Sequence, residues 1–91
     1  MIFTIILSEK AEEDIKKLKR DEPQSFKKLT KLLIELQEHP DTGTGQIERL
    51  SGDKSGQWSR RISKKHRLIY EIQNEMVSVF VISTYGHYSD K

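Results

Sequence analysis

The hydrophobic and polar positions along the chain predict one strand, two amphipathic helices and then four more strands. The run from Ile2 to Leu7 is apolar on both faces and rich in β-branched residues, which is typical of a buried central strand. Ser8 provides an N-cap, and the apolar stripe after it predicts a helix to about Arg20. Asp21-Glu22-Pro23 indicates a second helix start, and the spacing of the leucines predicts a helix to about Glu38.

The second half of the chain alternates apolar and polar residues with a period of two, which is typical of β-strands. After a Gly/Thr loop, the predicted strands cover Ile47–Leu50, Trp58–Ile62, Arg67–Ile72 and Met76–Tyr85. The predicted fold class is therefore α+β, with the order β-α-α-β-β-β-β in a single domain of residues 1–91. We expect a twisted antiparallel sheet with a two-helix N-terminal hairpin packed on one face.

Charge is distributed unevenly along a chain that is almost neutral overall. Residues 1–53 carry nine basic and eleven acidic groups, whereas residues 54–91 carry seven basic and three acidic groups. From Lys54 to Tyr70 there are six basic residues and no acid. This asymmetry indicates an anionic partner for the second half of the chain.

Several classes of protein are excluded by what the sequence lacks. Cysteine is absent, which excludes disulfides, thiolate metal sites and a cysteine nucleophile. The three histidines are far apart and no metal-binding or phosphate-loop motif is present, so we expect neither a metal ion nor another cofactor. The apolar start is too short for a signal peptide or a membrane span, so we expect a soluble cytoplasmic protein.

The first candidate site is the hairpin formed by the predicted strands Trp58–Ile62 and Arg67–Ile72, which contains most of these basic residues. If its turn is Ser63-Lys64-Lys65, Arg61 lies directly opposite Arg67, where like charges are destabilising and a bound anion is the simplest compensation. A two-residue turn would instead put the two arginines on opposite faces, and a solvated basic face is the alternative to a phosphate site.

The pattern gives the other residues around this hairpin two possible roles. Glu48 is one of few acids near it, and a cross-strand salt bridge is as good an interpretation as a catalytic role. His87 follows the longest apolar strand and, on spacing alone, is an ordinary C-terminal histidine. Trp58 and Tyr70 are predicted core residues, and His66 is expected to be exposed and structural.

Four stretches of the chain form a more specific pattern. They read Gly43-x-Gly45-x-x-Glu48-x-Leu50, Ser55-Gly56-x-Trp58-Ser59-Arg60-Arg61-Ile62, His66-Arg67-Leu68-x-Tyr70 and Gly86-His87-Tyr88. Together they resemble the Txe/YoeB family, which belongs to the RelE/ParE superfamily of toxins in bacterial type II toxin–antitoxin systems. The resemblance extends over essentially the whole chain. The chain departs from the family's usual Pro-Glu-x-Leu-Lys at Ile47 and Ser51.

The resemblance implies a ribosome-dependent endoribonuclease that cleaves mRNA in the ribosomal A site and so inhibits translation. The implied reaction needs no metal, because the 2′-hydroxyl attacks its own 3′-phosphodiester with help from an acid and a base. By resemblance Glu48 is the general base, His87 the general acid and Arg67 the main phosphate stabiliser. Arg61 supports the phosphate, and Tyr88 positions the acid or the scissile group.

The resemblance also implies partners, namely a cognate antitoxin of the YefM or Phd type and a ribosome with mRNA in its A site. No membrane is involved, and homodimers occur in the family. The candidates for contact with RNA or the ribosome are Arg49, Lys54, Arg60, Lys64 and Lys65.

Two other functions stay open at this point: a non-catalytic member of the superfamily, such as a ParE-like gyrase inhibitor, and a nucleic-acid module that binds phosphates without cutting. Glu48 and His87 discriminate between these and a nuclease, because an inhibitor has no need for an acid–base pair.

Overall fold

A computed structural model describes residues 2–52 and 56–86, in which two helices pack on one face of a five-stranded sheet. The predicted α+β class and the order of the elements are confirmed. A 3-10 turn, Asn74–Met76, joins the last two strands. The elements are β1 (Thr4–Leu7), α1 (Glu9–Asp21), α2 (Pro23–Glu38), β2 (Glu48–Arg49), β3 (Trp58–Arg61), β4 (Arg67–Gln73) and β5 (Ser78–Ser83).

The two helices begin where the sequence predicts. The Ser8 hydroxyl accepts a hydrogen bond from the Ala11 N–H and donates one to the Ile82 carbonyl, so the cap also ties α1 to β5. Pro23 starts α2, and only Glu22 separates the helices, which fold back on each other as a hairpin. Among the described helices, none has the length and apolar character that a membrane span requires.

The order of the strands across the sheet is β1-β5-β4-β3-β2. Neighbouring strands from β2 to β5 are antiparallel, but β1 pairs with β5 in parallel, so the sheet is mixed. The prediction of a wholly antiparallel sheet was therefore wrong at this one pair. The pairing joins the two ends of the chain, and a local alternation of residues carries no information about such a contact.

The prediction of a central, doubly covered β1 was also wrong. β1 lies at the edge of the sheet, and Thr4 and Ile6 are exposed while Ile5 and Leu7 are half-buried. Both helices pack against the same face of the sheet, so neither of them covers the opposite face of β1. The apolar composition of the segment therefore reflects β propensity more than burial.

The face of the sheet that carries the helices forms the hydrophobic core. Leu68 and Tyr70 of β4 and Val79 and Val81 of β5 are buried against helix residues such as Leu29. Trp58 packs against the same cluster, which confirms the core role predicted for Trp58 and Tyr70. Neither of the two described helices packs on the opposite face, and we call it the open face.

Arg60 lies in this core, with no exposed surface. The register pairs it with Leu68, so strand alternation directs it to the helix side, while Arg61 points to the open face. Its prediction as a residue that contacts RNA or the ribosome was therefore wrong. A fully buried guanidinium cannot reach a partner without unfolding of its surroundings.

All five N–H groups of the Arg60 guanidinium have acceptors. Nε donates to the Tyr70 hydroxyl at 3.0 Å, and Nη1 donates to Glu35 Oε1 at 2.6 Å. The remaining three bonds go to backbone carbonyls of the loop that follows α2, those of His39, Thr42 and Thr44. One buried charge thus fixes the loop that connects α2 to β2.

The same loop explains the Gly43-x-Gly45 pattern. Both glycines have positive φ, +112° and +98°. A Cβ at Gly43 would lie 2.4 Å from Glu35 Oε1, and one at Gly45 would lie 3.1 Å from the Arg61 carbonyl oxygen. The Gly45 carbonyl also accepts a hydrogen bond from the Arg61 N–H. Glycine here lets the loop approach both Glu35 and β3.

Arg60→Ala should lower the free energy of unfolding by about 3 kcal/mol or more, since it leaves Glu35 and several carbonyls without their partner. Arg61→Ala is the matched control, because it removes the same side chain from the neighbouring position on the open face. Its effect should stay within about 0.5 kcal/mol. Urea unfolding of both variants measures the difference, and equal losses would contradict a structural role confined to Arg60.

The stability of the protein should decline in acid partly through Glu35. Hydrogen bonds from the Thr44 N–H and hydroxyl, with the charge of Arg60, hold the pKa of Glu35 below its ordinary value of 4.5. The unfolded chain therefore binds the proton more readily, so this contribution is complete above about pH 4.5 and is lost as the pH falls through the lower folded pKa.

Glu35→Gln should reduce the slope of the free energy of unfolding against pH below about pH 4.5. Glu38→Gln removes an exposed carboxylate from the same helix and should leave the wild-type slope unchanged. Urea titrations between about pH 3 and pH 7 measure both slopes. A wild-type slope in Glu35→Gln would show that the Thr44 and Arg60 contacts do not stabilise the ionised carboxylate.

Candidate functional site

Three charged side chains of the predicted site share the open face. Arg61 of β3 lies directly opposite Arg67 of β4, and Glu48 of β2 lies opposite Ser59 of β3. Since residues two apart on a strand point to the same side, Glu48, Arg61 and Arg67 all project away from the helices. We call these three residues the open-face cluster.

The spacing of the open-face cluster follows from the register. Side chains directly opposite each other on antiparallel strands have Cβ atoms about 5 Å apart, which applies to Arg61 and Arg67. Glu48 is diagonal to Arg61, a relation that separates residues by about 7–8 Å. The three-residue turn that brings the arginines together is therefore confirmed, and the alternative register on opposite faces is excluded.

The backbone of the turn orients one of the two guanidinium groups. Arg67 Nη1 donates to the Ser63 carbonyl at 2.8 Å and to the His66 carbonyl at 3.3 Å. Within residues 2–52 and 56–86, no carboxylate forms an ion pair with Arg61 or Arg67. Two like charges therefore face each other on a half-exposed surface, which favours binding of an anion between them.

The other basic candidates lie around the open-face cluster in different settings. Lys64 and Lys65 are exposed in the turn beside the arginines, and Lys65 Nζ approaches Glu22 at 4.0 Å. Arg49 is exposed, but its guanidinium lies 5.2 Å from the centre of the Trp58 ring, on the helix side of the sheet. Arg49 and Trp58 line a cavity of about 500 Å³, and no residue of the open-face cluster is part of its lining.

Three of the predicted site residues lie outside the described residues: Lys54, His87 and Tyr88. The chain before His87 is described as far as Gly86. The Gly86 carbonyl accepts a hydrogen bond from the Arg67 N–H at 2.9 Å, and the Gly86 N–H donates to His66 Nδ1 at 2.9 Å. The described backbone therefore ends beside β4, at the strand position that carries Arg67.

His66, like Arg60, lies where the sequence analysis did not place it. It was expected to be exposed, but it is buried, with Nε2 2.8 Å from Glu22 Oε2 and its ring 4.2 Å from that of Tyr85. The hydrogen bond from His66 is the main cause that lowers the pKa of Glu22. A signal was present in the sequence, because His66 has the same parity as Leu68 and Tyr70, both of which face the core.

The arrangement of the open-face cluster suits phosphate chemistry. A carboxylate can accept a proton, and two guanidinium forks can bind the oxygens of a phosphate, on which negative charge grows as a nucleophile adds. In the part of the chain that the structure describes, no group of three histidine, aspartate or glutamate side chains could hold a metal ion.

The sequence is similar to that of a known family of proteins. A family model described as "YoeB-like toxin of bacterial type II toxin-antitoxin system" matches residues 7–88. A protein named Toxin YoeB from Mycobacterium bovis is 42% identical over 56 residues, which cover 62% of this chain and 66% of that protein. Toxin YoeB from Escherichia coli K12 is 31% identical over 84 residues, covering 92% of this chain and 98% of that protein.

Solved structures are similar over nearly the whole chain. The YoeB/ParE toxin from Agrobacterium tumefaciens superposes with a TM-score of 0.88 at 28% identity, covering 94% of this chain and all of that one. A YoeB dimer from Staphylococcus aureus gives a TM-score of 0.83. A heterotetrameric YoeB–YefM complex from the same organism gives 0.80. Both are 29% identical and cover 97% of this chain and 100% of theirs.

Inorganic phosphate should stabilise the folded protein by binding between Arg61 and Arg67. At ten times its Kd, the gain would be about 1.4 kcal/mol, or roughly 6–11 °C in Tm for a domain of this size. The double variant Arg61→Ala/Arg67→Ala should lose this shift. Lys27→Ala/Lys31→Ala makes the same change in charge on α2 and should retain it. Differential scanning calorimetry at constant ionic strength measures Tm, and equal shifts in both double variants would exclude the open-face cluster as the anion site.

Proposed function

Because the chain belongs to the YoeB-like toxins of bacterial type II toxin–antitoxin systems, we propose that it is a ribosome-dependent endoribonuclease that cleaves mRNA in the ribosomal A site. The observation that carries the proposal is the open-face cluster, in which Glu48, Arg61 and Arg67 come together from three strands. The hydrogen bonds of Gly86 to His66 and Arg67 add support, because Gly86 immediately precedes His87, the residue proposed as the acid.

The proposed reaction is a transphosphorylation within the RNA. The Glu48 carboxylate takes the proton of the 2′-hydroxyl as its oxygen forms a bond to the adjacent phosphorus. The bond from phosphorus to the 5′-oxygen breaks, and His87 donates a proton to that oxygen. The products are a 2′,3′-cyclic phosphate and a 5′-hydroxyl, with no metal ion or external nucleophile.

The arginines act on the charge that develops at phosphorus. Arg67 is the main stabiliser in this proposal, because its guanidinium is already oriented by the Ser63 and His66 carbonyls. A preorganised donor of this kind contributes roughly 3–4 kcal/mol to the transition state. Arg61 adds a second fork from the opposite strand, and Tyr88 helps to position the acid or the scissile phosphate.

The surroundings of the open-face cluster provide contacts for large partners. Lys64 and Lys65 are exposed next to it and would contact the RNA backbone of the ribosomal A site. An antitoxin of the YefM type would inhibit the toxin by covering the basic face with an acidic segment. The solved complex and the solved dimer of the S. aureus relative support both an antitoxin partner and homodimer formation.

Glu48→Gln and His87→Gln should each lower the rate of ribosome-dependent cleavage by about 100-fold or more, since each removes one proton transfer. Primer extension on mRNA from a reconstituted translation reaction measures both the rate and the cut position. Cleavage by the wild-type protein should persist when transition metals are chelated and the magnesium of the ribosome is maintained.

Two substitutions of the same chemical type serve as controls. Glu75→Gln changes an exposed carboxylate in the turn at the far end of β4, and His39→Gln changes an exposed imidazole at the end of α2. Both should cleave at the wild-type rate. Undiminished cleavage by His87→Gln would remove His87 from the acid role. A folded wild-type protein that does not cleave mRNA on ribosomes would favour a non-catalytic inhibitor.

A further inference from the structure

The chain that leaves β5 is held by side chains at three successive residues. The Thr84 N–H donates to Asp14 Oδ2 at 3.0 Å, which fixes the strand end to α1. The Tyr85 ring has the Lys17 ammonium 4.3 Å from its centre, and the His66 ring 4.2 Å from its centre. The Gly86 N–H then donates to His66 Nδ1 at 2.9 Å. His66 is therefore in contact with two of these three residues.

The hydrogen bonds of His66 determine its tautomer. The Gly86 N–H can only donate, so Nδ1 must be the unprotonated nitrogen that accepts. Nε2 therefore carries the proton and donates it to Glu22 Oε2 at 2.8 Å. The hydrogen bond from His66 also lowers the pKa of Glu22, which keeps the carboxylate ionised as the acceptor. Glu22, in the link between the helices, thus orients the ring toward Gly86.

Gly86 is bonded to two consecutive residues of the chain. Its N–H pairs with the His66 ring, and its carbonyl accepts from the Arg67 N–H at 2.9 Å. It has a φ of +85°, a conformation that favours glycine. Arg67 therefore presents its guanidinium to the open face, where it is proposed to bind phosphate. The His66 ring and the Arg67 backbone N–H both hold Gly86, at the start of the C-terminal segment.

We propose that His66 is a positioning residue for the C-terminal segment that carries His87 and Tyr88. It is 2% exposed and lies on the helix side of β4, so it does not itself reach the substrate. It acts by holding Gly86 against Arg67, which fixes the point from which the chain continues to the proposed acid. The inference rests on the proposed function where it concerns the rate of cleavage, and on the contacts of Gly86 alone where it concerns the anchor.

Two amide substitutions separate the two hydrogen bonds of the ring. In His66→Asn the amide oxygen lies near the position of Nδ1 and can still accept from Gly86. In His66→Gln the amide nitrogen lies near the position of Nε2 and can still donate to Glu22, while the acceptor for Gly86 is lost. Both variants lose the ring and its contact with Tyr85, so each is a control for the loss of packing in the other.

The anchor is tested by amide hydrogen exchange of Gly86, measured by NMR on the isolated protein. In His66→Gln the Gly86 amide should exchange at least about tenfold faster than in the wild type, whereas His66→Asn should retain most of the protection. The ¹⁵N shifts of the wild-type ring should identify Nδ1 as the unprotonated nitrogen. Wild-type protection of Gly86 in His66→Gln would overturn the anchor, whether or not the protein cleaves RNA.

The consequence for catalysis is tested by measuring cleavage at limiting and saturating concentrations of mRNA-programmed ribosomes, with the toxin at a fixed low concentration. His66→Gln should lower kcat by about 10-fold to 100-fold with little change in KM, because a displaced acid slows the chemical step without weakening ribosome binding. His66→Asn should lie much closer to the wild type. Equal losses of kcat in the two variants would show that His66 acts only through the packing of its ring and not through its hydrogen bond to Gly86. An inactive wild type would instead refute the proposed function and leave the exchange result to decide the anchor.

Discussion

The buried guanidinium of Arg60 is the interaction on which the arrangement of the site depends. Its five N–H groups are bound by Tyr70, Glu35 and three loop carbonyls, so the loop between α2 and β2 has one conformation that satisfies them all. A buried charge without these partners would be strongly destabilising, which makes the network nearly all-or-none. The two-residue strand β2 follows this loop, and Glu48 therefore reaches the open face because Arg60 fixes the chain before it.

Arg60 and Arg61 show how strand alternation divides one basic run between two tasks. Neighbouring residues of β3 point to opposite faces, so one guanidinium holds the core and the other faces Arg67 across the open face. His66, just before β4, and Arg67, its first residue, repeat the division, with the imidazole on the helix side and the guanidinium on the open face. In both pairs the residue that stabilises the fold lies next to the residue proposed to bind phosphate, which couples the position of the site to the packing of the core.

The sequence predicts the local features of this fold well and its long-range contacts poorly. The N-cap at Ser8, the start of α2 at Pro23 and the opposition of Arg61 and Arg67 depend on neighbouring residues, and all three are confirmed. The parallel pairing of β1 with β5 joins distant segments and has no local signature. Arg60 and His66 are buried for a reason that is local: both have the parity of Leu68 and Tyr70, and this parity decides their burial despite the charge of Arg60 and the position of His66 beside a turn.

The uneven distribution of charge along the chain has a structural explanation. Glu35 of α2 pairs with Arg60, and Glu22 between the helices binds His66 and approaches Lys65, so these two acids of the first half lie on the helix side of the sheet. The open face receives Arg61 and Arg67 from the second half, directly opposite each other, together with Glu48 from the first half. The pairing of Arg60 with Glu35 behind the sheet therefore stabilises the fold, while the charges of Arg61 and Arg67 lie in front, where an RNA phosphate would bind.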